Sequence, residues 1–246
     1  MQEKIHFVPD LPEGAVHVWR IPLMAPAATL AGYQTLLAPD ERARAARFHF
    51  DIHRHRFAIA RARMRMLLSS YSGCTPAQLV FSYTSHGKPY ISHPSLRFNL
   101  SHADDIAILG VTRNRAIGVD IEHIRADFAT DEIANRHFSK TEVRTLRALA
   151  AEERCSAFFR CWTRKEAYIK ALGEGLSMPL GSFDVCLDDD QKDQLWLSHH
   201  EDPNEQARWQ LRNVPAPQGY FAAAVVEGHD LSFQYFDWSD AGMAAA

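Results

Sequence analysis

The chain has 246 residues, with 27 lysines and arginines against 30 aspartates and glutamates, which gives a formal net charge of −3. Its 46% hydrophobic and 23% charged residues are typical of a globular protein and exclude the disordered, collagen-like and disulfide-scaffold classes. The longest weakly polar stretch, 21–33, contains two prolines and is shorter than the roughly 20 residues of a membrane-spanning helix. No signal peptide is visible, so we expect a cytoplasmic protein with no membrane partner.

The order of predicted elements indicates the fold class. In chain order, the first half predicts a strand at 16–21, a helical region at 39–70, strands at 80–83 and 96–100, and a hairpin formed by 106–111 and 116–121. The second half predicts helices at 131–151 and 153–172, then short strands at 183–187, 196–198, 209–211, 221–226 and 231–235. Because strands and helices mix without regular βαβ alternation, an α+β fold is favoured over a doubly wound sheet.

Arginines are concentrated in the predicted helical region. Residues 40–66 hold eight arginines and three acids, a net charge of +5, which leaves −8 for the remainder of the chain. If the helix is continuous, one of its faces carries Arg47, Arg54, Arg61 and Arg65. Such a face is either simply solvated or binds phosphate or an acidic partner. Because neither interleaved aromatic residues nor a nucleic-acid motif accompanies it, we expect no nucleic-acid partner.

Two acids share one face of a predicted strand at 117–122. Side chains alternate along a strand, so the apolar odd-numbered residues point into a core and Gly118, Asp120 and Glu122 point the other way. Adjacent carboxylates repel each other unless the face is wet or binds a cation. Gly118 leaves room for a close approach to the backbone. An all-oxygen pair without nearby Cys or His suits Mg²⁺.

A third carboxylate lies in a predicted apolar stripe. Glu166 follows Trp162 by four residues and precedes Ile169 by three, which places it on their helix face. A carboxylate in that position must be paired, protonated or metal-bound. One interpretation is purely structural, with Glu166 forming an ion pair with Lys170. The alternative is a phosphate and Mg²⁺ site, because Lys165 and Lys170 flank the acid.

Five segments together resemble the 4′-phosphopantetheinyl transferases, in particular the large monomeric type that activates peptide and polyketide synthases. They are Gly118-Val119-Asp120-Ile121-Glu122, Trp162-Thr163-Arg164-Lys165-Glu166-Ala167 continuing to Lys170, Phe98-Asn99-Leu100-Ser101-His102, Gly87-Lys88-Pro89, and the stretch from Pro39 to Phe48. Their order and spacing fit from about residue 16 to residue 185. The resemblance implies two similar α+β subdomains, 1–114 and 115–246, related by a pseudo-twofold, with the active site between them.

The activity that the resemblance implies is transfer of 4′-phosphopantetheine from coenzyme A to a serine of an apo acyl or peptidyl carrier protein. Adenosine 3′,5′-bisphosphate is released. The implied Mg²⁺ ligands are Asp120, Glu122 and Glu166, and the implied coenzyme A contacts are Arg44, Lys88, Asn99, Ser101, His102, Lys165 and Lys170. Glu166 is the implied base for the serine, with His102 and Lys170 acting on the phosphates. Glu41 departs from the pattern, because some members have a second basic residue there.

Two other functions stay open from the residues alone. A metal-dependent phosphohydrolase would use the same three acids with water as the nucleophile. A non-catalytic anion-binding regulator would use the arginines and would not need the acids. We favour transfer because neither alternative accounts for the acids and the lysines together. The sequence does not indicate which synthase is served, or whether Mn²⁺ replaces Mg²⁺.

Overall fold

The computed structural model describes residues 9–173, 178–187, 195–200, 202–239 and 244–245. The first half contains β1 (Ala15–Pro22), α1 (Ala27–Leu36), α2 (Pro39–Ala46), α3 (Asp51–Ser72), β2 (Phe81–Tyr83), β3 (Pro89–Ile91), β4 (Leu96–Ala103) and β5 (Ile106–Arg113). The second half contains β6 (Ile117–His123), α4 (Asp131–His137), α5 (Lys140–Ala148), α6 (Ala151–Leu172), β7 (Phe183–Val185), β8 (Leu197–His199), β9 (Trp209–Asn213), β10 (Tyr220–Glu227), β11 (Ser232–Asp237) and β12 (Ala244–Ala245).

The two halves repeat one order of elements. Each begins with a strand and continues through helices to a helix of 22 residues, α3 or α6. Both long helices end at a glycine in the left-handed conformation, Gly73 with φ 71° and Gly173 with φ 80°, where a side chain would be strained. A two-stranded sheet and two antiparallel strands follow in each half. The predicted α+β class with two similar subdomains is therefore confirmed.

Two main sheets carry the subdomains. The first has the strand order β12-β11-β1-β5-β4, and the second has the order β6-β10-β9. β1 pairs antiparallel with β5, as β6 does with β10. β11 pairs parallel with β1, so residues 232–237 of the second half complete the first sheet. The subdomain boundary at 114/115, which lies between β5 and β6, stays a prediction, and the last strands cross it.

Three element predictions were wrong. The segments 106–111 and 116–121 do not form a hairpin, because β5 pairs with β1 and β4 whereas β6 pairs with β10. The helical region at 39–70 is two helices, separated by residues 47–50 with an extended backbone at Phe50. The region at 131–151 also divides, because the Ser139 hydroxyl accepts from the amide of Glu142 and caps a new helix, α5.

Apolar side chains pack in three clusters. One lies between α3 and the first sheet, and one lies between α6 and the second sheet. The third joins residues of β1 and β5 to Ile117, Val119 and Ile121 of β6, so it holds the two subdomains together. The predicted alternation along β6 is confirmed, because these three side chains join the third cluster whereas Gly118 faces α6. Among the described residues, no helix is long and apolar enough to span a membrane.

Candidate active site

Helix α6 lies directly against strand β6. A Cβ atom on Gly118 would overlap the carbonyl oxygen of Ala167 and the amide nitrogen of Ala171. The glycine therefore lets the helix and strand backbones touch, which agrees with the predicted close approach and identifies the approaching group as α6. Strand β6 also lies beside β4, where the side-chain oxygen of Asn99 accepts a hydrogen bond from the amide of Val119 at 2.9 Å.

One stripe of α6 remains partly open. Between residues 161 and 171 only Trp162, Glu166 and Lys170 keep partial exposure, while the other side chains are buried. Their spacing of four residues places them above one another on the helix. Glu166 therefore does not lie in a buried apolar stripe, as was predicted. It lies on the partly exposed face of α6, which borders the cleft.

Asp120 is the central group of the site. It is 2% exposed, and its Oδ1 accepts from the Ser101 hydroxyl at 2.8 Å and from the Lys170 ammonium at 2.5 Å. Lys170 also donates to the Ser101 hydroxyl oxygen at 3.0 Å. The second carboxylate oxygen, Oδ2, is buried and has no hydrogen-bond partner among the described residues. A buried carboxylate oxygen in this state can bind a cation or accept from an ordered water.

The two acids beside Asp120, Glu122 and Glu166, both have raised pKa values. Burial raises the pKa of Glu122 to about 7, and the charge of Asp120 adds to the rise. Burial likewise raises the pKa of Glu166, with Lys170 opposing the rise and Asp120 adding to it. Burial by itself would lower the pKa of Lys170, but the surrounding carboxylates, Asp120 first, raise it overall. The three acids and the lysine therefore form one electrostatic unit.

The three acids have the right chemistry to bind a divalent cation, but their side chains are not close enough together to form a complete metal site. In the described part of the chain, no three His, Cys, Asp or Glu side chains stand close enough together to hold a metal ion. The unpartnered Oδ2 of Asp120 and the mutual repulsion of Asp120, Glu122 and Glu166 are what a bound cation would relieve. Carboxylate oxygens are the ligands that Mg²⁺ prefers.

A cationic cluster borders the acids at the end of β4. Partial burial lowers the pKa of His102, and the charges of Lys170, Arg56 and Arg44 lower it further. Arg44 is exposed in the last turn of α2, whereas Arg56 is held by Asp105 at 2.8 Å. Arg56 was not singled out from the sequence. The sequence showed only that Arg56 belongs to the arginine-rich segment. Its position depends on the pairing with Asp105, which lies 49 residues away in the chain.

Lys165 does not face this site, so its predicted phosphate contact is wrong. Its side chain is fully buried, and its ammonium lies 2.8 Å from Glu142 Oε2. It donates to the carbonyl oxygens of Leu180 at 2.7 Å and Phe183 at 2.6 Å. Lys165 and Glu166 are adjacent on a helix, so their side chains point about 100° apart. Lys165 therefore ties α6 to α5 and β7 on the inner side of the helix.

Lys88 is also committed to protein groups. Its ammonium donates to the carbonyl oxygens of Lys170 at 2.5 Å, Ile117 at 3.0 Å and Ala171 at 3.3 Å, so the predicted contact with the nucleotide phosphates is not available to it here. It borders a cavity of about 400 Å³ that Asn99, Glu166 and Lys170 also line. Lys88 and Asn99 thus join the subdomains at the edge of the cleft.

The predicted arginine face is divided between the interior and the surface. Arg61 and Arg65 are 7% and 2% exposed, and both pair with the buried carboxylate of Glu41 at 2.7 Å. The break between α2 and α3 separates Arg47 from them. Glu41, which departs from the family pattern, is therefore the counter-ion of the buried arginines. Arg44 and Arg47 remain exposed.

The fold and the site define an α+β protein with two similar subdomains and, in the cleft between them, acids, a lysine and a histidine suited to phosphate chemistry. Residues 116–226 match the 4′-phosphopantetheinyl transferase superfamily, and residues 26–114 match the N-terminal part of 4′-phosphopantetheinyl transferases. The chain belongs to the 4′-phosphopantetheinyl transferase superfamily.

Three relatives illustrate the similarity. The 4′-phosphopantetheinyl transferase HetI of Nostoc sp. is 42% identical over 166 residues, covering 66% of this chain and 70% of the relative. A putative 4′-phosphopantetheinyl transferase of Synechocystis sp. is 33% identical over 207 residues, covering 82% of this chain and 81% of the relative. The transferase Sfp of Bacillus subtilis is 33% identical over 174 residues, covering 70% of this chain and 75% of the relative.

Proposed function

We propose that this chain transfers 4′-phosphopantetheine from coenzyme A to a serine hydroxyl of an apo acyl or peptidyl carrier protein. The observation that carries the proposal is the Asp120–Ser101–Lys170 network, which the two subdomains build jointly beside Glu166. An ammonium ion and a carboxylate oxygen without a partner, in one partly buried cleft, suit the charges that develop during phosphoryl transfer. Family membership supports the same reaction.

The residues divide the reaction between them. The serine oxygen forms a bond to the phosphorus that bears pantetheine, and the bond from that phosphorus to the bridging oxygen breaks. The electron pair leaves with adenosine 3′,5′-bisphosphate. Glu166 takes the serine proton, directly or through water, because it lies on the partly open stripe of α6 one turn before Lys170, beside the place where the phosphate would bind. Lys170 and His102 stabilise the charge on the phosphate oxygens.

The acids Asp120, Glu122 and Glu166 would hold Mg²⁺, which supplies charge stabilisation at the pyrophosphate when bound. Coenzyme A would enter the cleft at the cavity beside Lys170. We propose a monomer as the working state, because one chain supplies Ser101 from the first subdomain and Asp120, Glu166 and Lys170 from the second. The cytoplasmic location stays a prediction.

The experiment is incubation of the protein with coenzyme A, Mg²⁺ and an apo carrier protein, followed by intact-mass measurement of the carrier. The expected result is a gain of one phosphopantetheine. Glu166→Gln should slow the gain by about a hundredfold or more, the scale of a lost general base. Glu152→Gln, an exposed acid on the same helix, is the matched control. Cleavage of coenzyme A that leaves the carrier mass unchanged would support a hydrolase instead.

A further inference from the structure

Lys88 stands in a short turn that holds the base of its side chain in place. The turn connects β2 to β3, where the Thr84 amide donates to the Lys88 carbonyl at 3.0 Å and the Lys88 amide donates to the Thr84 hydroxyl at 3.1 Å. Gly87 takes φ 81°, which closes the turn without strain. The hairpin of the first subdomain therefore presents Lys88 to the second subdomain from a well-supported position.

The ammonium of Lys88 lies where α6 ends against β6. An α-helix leaves its last carbonyls without partners inside the helix, and a cation there is favourable. Lys88 supplies donors to two of these carbonyls, those of Lys170 and Ala171. Its third acceptor is the carbonyl of Ile117, the residue before the glycine against which α6 packs. One group thus bonds to the end of the helix and the start of the strand.

The same turn of α6 carries the groups that act in the cleft. The Lys170 carbonyl oxygen accepts from Lys88, and the Lys170 ammonium donates to Asp120. The contact with Lys88 therefore holds the backbone from which the Lys170 side chain reaches Asp120. Glu166 lies one helical turn earlier on the same open stripe. A small shift of this turn against β6 would change the separation of Glu166 and Lys170 from Asp120, and displacements near 1 Å can cost about a hundredfold in rate.

We propose that Lys88 is a positioning residue, which holds the last turn of α6 against β6 so that Glu166 and Lys170 stay aligned with Asp120. Its effect on catalysis rests on the proposed function, whereas its effect on the helix does not. A phosphate ligand at this position would act on the binding of coenzyme A. A positioning residue instead changes kcat and the mobility of α6 in the absence of any substrate.

The test is hydrogen exchange of the ligand-free protein in the fragment 166–173, measured by mass spectrometry. Lys88→Met removes the ammonium and keeps most of the stem, and Lys140→Met, at an exposed site on α5, is the matched control. We expect exchange in this fragment to be about tenfold faster in Lys88→Met alone, since local opening sets the exchange rate. Unchanged exchange would overturn the proposal, whether or not the protein transfers phosphopantetheine.

Kinetics separate positioning from ligand binding. Lys88→Met should lower kcat about tenfold or more and leave KM for coenzyme A within about threefold, the pattern of a lost transition-state alignment. A raised KM with unchanged kcat would overturn the proposal in favour of a phosphate contact. Lys88→Arg keeps a cation with several donors, so it should exchange more slowly than Lys88→Met and recover part of kcat. If Lys88→Met does not fold, the test uses Lys88→Gln, which also lacks the cation. Exchange at the wild-type rate in folded Lys88→Gln would overturn the proposal.

Discussion

Replacing Lys165 by methionine tests whether this lysine supports the fold or binds phosphate. The change removes an ammonium that lies 2.8 Å from Glu142 and donates to two carbonyl oxygens, all of them buried. It leaves the Glu142 carboxylate uncompensated in the interior, which typically costs about 3–5 kcal/mol. For a chain of this size, each kcal/mol lowers the melting temperature by about 2–4 °C, so we expect a decrease of roughly 6–20 °C.

The assay combines urea unfolding of Lys165→Met with KM for coenzyme A, using Lys140→Met as the exposed control. We expect a large loss of stability with a KM close to the wild-type value while the protein is folded. Adding Glu142→Gln should cost less than the sum of the two single changes, because it removes the buried charge that Lys165→Met leaves unpaired. Wild-type stability with a strongly raised KM would refute this interpretation and indicate that Lys165 contacts the phosphates of coenzyme A.

Three further changes probe the packing and the buried polar groups. Gly118→Ala should destabilise the protein by about 3 kcal/mol, because the added methyl meets the backbone of α6 near Ala167, and urea unfolding close to wild type would contradict this. Burial lowers the pKa of His17 to about 4, so folding leaves it neutral beside Tyr71. Stability should therefore fall by about 3 kcal/mol as the pH drops from about 6.5 to 4, and His17→Gln should flatten that part of the curve. Glu41→Gln should cost about 3–5 kcal/mol in urea unfolding by leaving two buried arginines uncompensated, and a loss below about 1 kcal/mol would argue against the buried ion pairs.

The parts of the site that depend on local periodicity could be predicted from the sequence. Alternation along β6 placed Asp120 on the face opposite the core residues, and Gly118 indicated a close backbone approach. The end of α6 at Gly173 also followed from a local signal. These predictions succeeded because each depends on residues within a few positions of one another.

The remaining predictions required partners that are distant in the chain. Lys165 and Glu166 look equivalent in the sequence, and only the packing of α5, 23 residues earlier at Glu142, shows that one faces inward. Arg61 and Arg65 look solvated until Glu41 supplies their counter-charge from another helix. The predicted hairpin was wrong because consecutive strands entered different sheets, a choice that local turn residues do not determine.

The rate of phosphopantetheine transfer by Asp120→Asn tests the assignment of the active site most directly. This change keeps the shape of the side chain but removes the charge that meets Lys170 and that would meet a cation. Intact-mass measurement of an apo carrier protein, with coenzyme A and Mg²⁺ present, should give a rate at least about a hundredfold below wild type. The exposed Asp10→Asn variant should be unaffected. Transfer by Asp120→Asn at the wild-type rate would contradict the assignment of the active site to this cleft.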